Sequence, residues 1–143
     1  MNQSSGVLPS FSKSKIPTTY YTDPNGYPCN QPPWSELVAV STSTGDIVWR
    51  VPLGEYKELT AKGIPKTGTA TNSGAPVATG GGLVFIGGTA DGHFRAFDSM
   101  TGTELWSASP GFDVAGYAVV YKGGNGKEYV VITGPRLIAY ALP

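Results

Sequence analysis

The sequence contains one cysteine, one histidine and two methionines among 143 residues, and only 14% of its residues are charged. A single thiol, Cys29, excludes any disulfide within the chain and leaves the redox compartment unmarked. It reads as a small, partly buried side chain. The single histidine, His93, has no Cys or carboxylate at ligand spacing, so it reads as a surface residue of a strand and no metal site is expected. Ten basic residues balance ten acidic ones, which removes the electrostatic basis for binding nucleic acid or an anionic membrane. No apolar run approaches the roughly 20 residues needed to cross a bilayer. The opening stretch MNQSSGVLPSFSKSK lacks an apolar core and is not expected to act as a secretory signal. Sustained 3.6-residue periodicity is missing too, so helices should be few.

Turns, by contrast, are plentiful. Twenty Gly and 12 Pro suit a chain that reverses often, and 40% hydrophobic residues are enough for a folded β protein with a core. The chain divides in two. Residues 1–35 hold six of the prolines and only Val7, Leu8 and Ile16 as branched aliphatics. Proline removes ladder donors, so this is expected to be an irregular segment, poorly ordered over residues 1–20 unless a partner covers them, with a turn at Asp23-Pro24-Asn25-Gly26. Its aromatics Tyr20, Tyr21, Tyr27 and Trp34 either offer a sugar-stacking surface or pack the segment onto the remainder.

Residues 36–143 have β texture. ELVAVS (36–41) and DIVWRVP (46–52) flank a turn ending in Gly45, and residues 54–81 form a Gly/Thr/Pro-rich connection. LVFIGG (83–88), HFRAFD (93–98) and TELWSA (103–108) follow, separated by Asp91-Gly92 and Thr101-Gly102. YAVVY (117–121), EYVVIT (128–133) and RLIAYAL (136–142) close the chain.

A repeat organises these strands. AVSTSTGDIVW (39–49) and AFDSMTGTELW (96–106) share Ala, Thr-Gly and Trp at matching places, 57 residues apart. Ala39 and Ala96 leave room for an indole, and Gly45 and Gly102 suit the positive φ of a tight hairpin. Trp49 and Trp106 are expected to be structural, each indole N–H finding a strand carbonyl. Asp98 can brace its turn; Ser41, its counterpart, does so more weakly.

The spacing Ala-x-x-x-x-Thr-Gly-x-x-x-Trp resembles the tryptophan-docking motif of quinoprotein propellers. GYPCNQPPWSELVAVSTSTGDIVWRVPLGEY (26–56), GLVFIGGTADGHFRAFDSMTGTELW (82–106) and KEYVVIT (127–133) are similar to late blades of membrane-type glucose dehydrogenases that use pyrroloquinoline quinone (PQQ). The resemblance implies an all-β partial propeller of two to three four-stranded antiparallel blades, from a parent with PQQ on its axis. It also implies a C-terminal fragment of a sugar or alcohol dehydrogenase, inactive alone, the catalytic carboxylate and calcium ligands lying in earlier blades. The parent's setting would be periplasmic or cell-envelope. By the same resemblance the blade-entry loop Asn72-Ser73-Gly74-Ala75-Pro76 points to the axis, with Asn72, Ser73 and Gly74 as candidate cofactor contacts. An ordinary blade-entry turn explains the same residues. The Gly/His-rich loop of many glucose-oxidising members is missing, since EYVVIT runs through Gly134-Pro135 into RLIAYAL, which puts glucose in doubt as substrate.

The alternative is a non-catalytic propeller module that binds a partner or assembles with itself. On either reading the partners are remaining blades or further copies, and a closed homo-oligomer is expected because two or three blades cannot close a ring.

Overall fold

The structure, a computed structural model, describes residues 21–142; the expectation for residues 1–20 lies outside them. Among the described residues, eleven strands and one helical turn, α1 (Lys57–Thr60), make up the regular structure. In chain order the strands are β1 (Glu36–Val40), β2 (Ile47–Pro52), β3 (Gly74–Ala75), β4 (Val77–Ala78), β5 (Leu83–Ile86) and β6 (Phe94–Asp98). Then follow β7 (Glu104–Ala108), β8 (Gly116–Tyr117), β9 (Val119–Lys122), β10 (Glu128–Ile132) and β11 (Ile138–Ala141).

Three antiparallel sheets follow one another along the chain. They are the pair β1-β2, the four-stranded β4-β5-β6-β7 and the three-stranded β9-β10-β11, while β3 and β8 form a separate parallel ladder. The connection 54–81 therefore carries more than a loop: α1, β3 and β4 lie within it. Strand β4 has only two residues after Pro76, too short to show any alternation in sequence. The run YAVVY is split, because Tyr117 pairs with Ala75 across the parallel ladder whereas Val119 begins pairing with β10.

Strand β5 is apolar throughout and β6 is so apart from Arg95 and Asp98, because their sheet is covered on both faces. Phe85, Phe94 and Ala96 turn one way, into a core shared with Val114, Ala118, Val130 and Ile132. Ile86 and Phe97, one residue out of phase, turn the other way to meet Leu37 and Leu53. Successive sheets thus bury faces against each other, as propeller blades do.

The repeat holds at the level of register. Ala39 pairs with Trp49 and Ala96 with Trp106, and in both hairpins the ladder slips by one residue immediately afterwards. The extra residues, Val48 and Leu105, are equivalent in the repeat, so the same bulge twists both hairpins. Gly45 and Gly102 have φ of +80° and +72°. Asp98 Oδ1 accepts the backbone N–H groups of Met100 and Thr101, both at 2.8 Å, whereas Ser41 Oγ accepts Thr44 N–H at 3.3 Å. The Thr101 and Met100 amides hold the Asp98 carboxyl below its usual range.

The two tryptophans differ. Trp49 lies flat on Gly102 of the next sheet, where an added Cβ would come within 2.6 Å of its ring, and its Nε1 donates to Ser99 O at 3.0 Å. The acceptor is a turn carbonyl and not the strand carbonyl expected. Trp106 corrects the expectation further: it is 38% exposed and donates no hydrogen bond among the described residues. Its ring instead meets Tyr140 and Phe94 edge-on, at 5.0 and 6.2 Å between centroids. No turn glycine covers it, because β11 is the last strand of its sheet among the described residues.

Candidate functional site

Residues 21–35 wrap back onto the 54–71 connection. The turn 23–26 forms as expected, with Gly26 N–H donating to Asp23 O at 2.9 Å. Tyr27 stacks on Trp34 at 5.8 Å and 9°, and Tyr56 stands edge-on to both. The Tyr27 hydroxyl donates to Glu58 at 2.7 Å, which pushes its pKa up to about 12. These rings spend their faces on one another, so they pack the segment down. Tyr21, 85% exposed, takes no part. A cleft of about 820 Å³ opens beside them, lined by Tyr21, Cys29, Trp34, Tyr56, Ala70 and Thr71. Cys29 is exposed and not partly buried as expected; it sits in a bend just past the Thr22–Pro28 bridge.

The wall of that cleft runs from Thr71 into the candidate loop. Asn72 forms an isolated bridge to Thr89, and its Oδ1 accepts Gly74 N–H at 3.0 Å. Ser73 N–H donates to Gly88 O at 2.8 Å, and Ser73 O accepts Gly116 N–H at 3.1 Å. A Cβ on Gly74 would stand 2.0 Å from Gly87 O. Gly74 is therefore required by the neighbouring backbone, whatever ligand approaches. Of the three candidates, the exposed Asn72 side chain keeps an amide NH2 with no hydrogen bond among the described residues. Its two donors are the loop's free polar capacity.

Beneath the loop lies a polar cluster. Arg95 is 3% exposed on β6 and grips Asp91 with both terminal nitrogens. Asp91 also accepts the Thr89 hydroxyl at 2.6 Å and the N–H groups of Glu55 at 2.9 Å and His93 at 3.2 Å. Burial opposes ionisation of Asp91, but these donors outweigh it and bring its pKa down to about 2. His93 precedes the strand and does not belong to it, its Nδ1 turned onto Asp91 O at 2.8 Å. Among the described residues no group of three or more His, Cys, Asp and Glu can hold a metal ion. This cluster escaped the sequence reading. The available signal was Arg95 itself, a charge on the same face of a covered strand as Phe97, four residues after an Asp.

Comparison with known proteins identifies the family. The family model for PQQ-type glucose/ethanol/alcohol dehydrogenase, beta-propeller domain, matches residues 2–130. The chain belongs to this quinoprotein family. Within it, the chain is 38% identical over 133 residues to a probable quinate dehydrogenase (quinone) from Xanthomonas campestris pv. juglandis, covering 82% of the chain. It is 32% identical over 141 residues, 86% of the chain, to quinoprotein glucose dehydrogenase A from Acinetobacter calcoaceticus. In both cases the match spans 17% of the relative's length. Among solved structures, the quinohemoprotein alcohol dehydrogenase ADHIIG from Pseudomonas putida HK5 superposes with a TM-score of 0.51 at 28% identity, over 68% of this chain and 12% of that one. The all-β quinoprotein blades read from the Ala/Thr-Gly/Trp repeat are thus the observed ones.

Proposed function

We propose that the chain supplies late blades of a PQQ-dependent dehydrogenase acting on a sugar or alcohol, with the Asn72–Gly74 loop as one wall of the cofactor site. The free amide of Asn72, held by its own Oδ1 contact and by the Thr89 bridge, is the observation that carries the reading. A quinone oxygen or a carboxylate of PQQ needs a fixed donor of this kind. Bound PQQ would supply the two-electron oxidation; the chain's part is to bind, orient and exclude water. Ser73 and Gly74 would act through their backbone, keeping the wall in place without donating to the ligand. The acid–base carboxylate and the calcium ligands would come from other blades, so this chain alone would not turn over substrate.

Its partners would be those blades or a further copy. Val38, Val40, Ile47 and Val48 on β1-β2 are 41–60% exposed and form a face that another sheet would cover. The setting would be the periplasm or cell envelope, as the family resemblance implies; no helix among the described residues is long and apolar enough to cross a membrane.

Titration of the chain with PQQ, with and without Ca²⁺, followed by absorbance, tests the reading. Saturable binding that Asn72→Ala weakens by about tenfold, one charge-assisted hydrogen bond, is expected. Binding indifferent to that substitution would remove Asn72 from the site, and no saturable binding would count against a cofactor wall in this chain.

A further inference from the structure

We infer that the buried Arg95–Asp91 pair is the positioning device of the Asn72–Gly74 loop. The inference deepens the reading of that loop as a cofactor wall and rests on it only for the loop's ligand. The connections run in two steps. Arg95 Nη1 donates to Thr89 Oγ1 at 3.0 Å, and Thr89 Oγ1 donates to Asp91 Oδ1 at 2.6 Å, so the pair fixes Thr89 from both sides of its hydroxyl. Thr89 and the preceding residue then hold the loop. Thr89 bridges Asn72, and Gly88 O accepts Ser73 N–H at 2.8 Å. A second strut runs parallel to this one. Thr69 Oγ1 accepts Ala90 N–H at 3.2 Å and donates to Thr71 O at 3.0 Å, one residue before Asn72.

An ion pair in this place is poorly explained by stability alone. Burying two charges costs desolvation that their attraction rarely exceeds, and an apolar pair of like volume packs as well between blades. Arg95 Nε carries a further cost, being buried without a hydrogen-bond partner among the described residues and 3.7 Å from Glu104 Oε2. Direction is what the pair provides. A guanidinium and a carboxylate joined by two parallel hydrogen bonds define one relative orientation, and the turn 88–91 inherits it. Glu55 N–H joins the same carboxylate at 2.9 Å, so the start and end of the 54–74 connection are referenced to one group. The ionisable groups facing Asp91 are Arg95 and His93, with the Glu104–Lys66 pair behind Arg95.

Asp91→Asn keeps the shape and removes the charge; Thr89→Val cuts the link between pair and loop while leaving the pair intact. Val130→Ala, in the core of β10, serves as a control of ordinary destabilisation. In the full chain, amide hydrogen exchange should accelerate about tenfold at Ser73 and Gly74 in both test variants, with Val131 and Ile132 unchanged. The control should accelerate β10 and spare the loop. Where PQQ binds, Asp91→Asn should weaken it by about tenfold and lose that effect in an Asn72→Ala background, the non-additivity of a residue acting through another. Uniform acceleration over all sheets in both test variants would overturn the positioning role, as would unchanged exchange at Ser73. Failure of the wild-type chain to bind PQQ would sink the ligand reading and leave the exchange result to decide the device.

Discussion

Gly102→Ala should destabilise the chain far more than Gly45→Ala, although both glycines have the same place in the repeat and nearly the same φ. The two share the conformational penalty: an L side chain at φ of +72° or +80° costs about 1–2 kcal/mol. They differ in what the new methyl meets. At Gly45 nothing lies within 4 Å, whereas at Gly102 the methyl would stand 2.6 and 2.8 Å from two carbons of the Trp49 indole. Displacing a docked indole that also donates to Ser99 O adds an overpacking cost of about 1–3 kcal/mol. Gly45→Ala should thus cost about 1–2 kcal/mol and Gly102→Ala about 2–5 kcal/mol. Urea unfolding followed by far-ultraviolet circular dichroism measures both. Repeating Gly102→Ala in a Trp49→Ala background, in sulfate to retain the folded state, should bring its cost down to the Gly45 value. The coupling between positions 49 and 102 would then be about 1–3 kcal/mol. Equal costs for the two glycine variants, or a clash that survives loss of the indole, would refute docking as the link between the first two sheets.

Asp91 makes the fold sensitive to acid. Its carboxyl titrates at about 2 in the folded chain against 3.8 for an unperturbed group, so its stabilisation is complete above about pH 4 and is lost as pH falls through 2. The urea midpoint should drop across that window, and Asp91→Asn should flatten the drop; an unchanged slope would remove Asp91 as its source. The exposed valines and isoleucine of β1-β2 should bring copies together, so light scattering after size-exclusion chromatography should give a mass above the 14.9 kDa of one chain that falls on Val40→Lys plus Val48→Lys. A monomer at every concentration tested would argue against self-association.

The Ala/Thr-Gly/Trp repeat made the hairpins legible because each of its positions answers a local demand: a small residue opposite an indole, a left-handed turn, a flat side chain to bury. Register and even the bulge follow from those demands at both hairpins. Strands β3 and β4 were illegible, since two residues carry no alternation and their pairing is decided by what lies beside them. Trp106 misled for a related reason. Its sequence context matches Trp49, but docking depends on a glycine of the next sheet packing on the indole, and none packs on Trp106 among the described residues. At the candidate site, resemblance located the loop, and only geometry separated Asn72, with donors to spare, from Ser73 and Gly74, whose backbone is committed. The Asp91–Arg95 pair stayed hidden because its meaning lies in a face shared across sheets.

The parallel ladder of β3 and β8, Gly74 beside Gly116, joins the entrances of two successive sheets through main chain alone. In a radial array of such sheets the blades spread outward and converge at a hub, and there this rung would sit like the riveted ends of two spokes. The apolar layers farther out fill whatever wedge the rung leaves. In a ring completed by further blades, the bore would accordingly be a property of backbone geometry, and side-chain substitutions on the blades would re-line it without widening it. A change of calibre in such a ring would require adding or removing residues between β3 and β8, and the proposed cofactor wall would then be a conservative one.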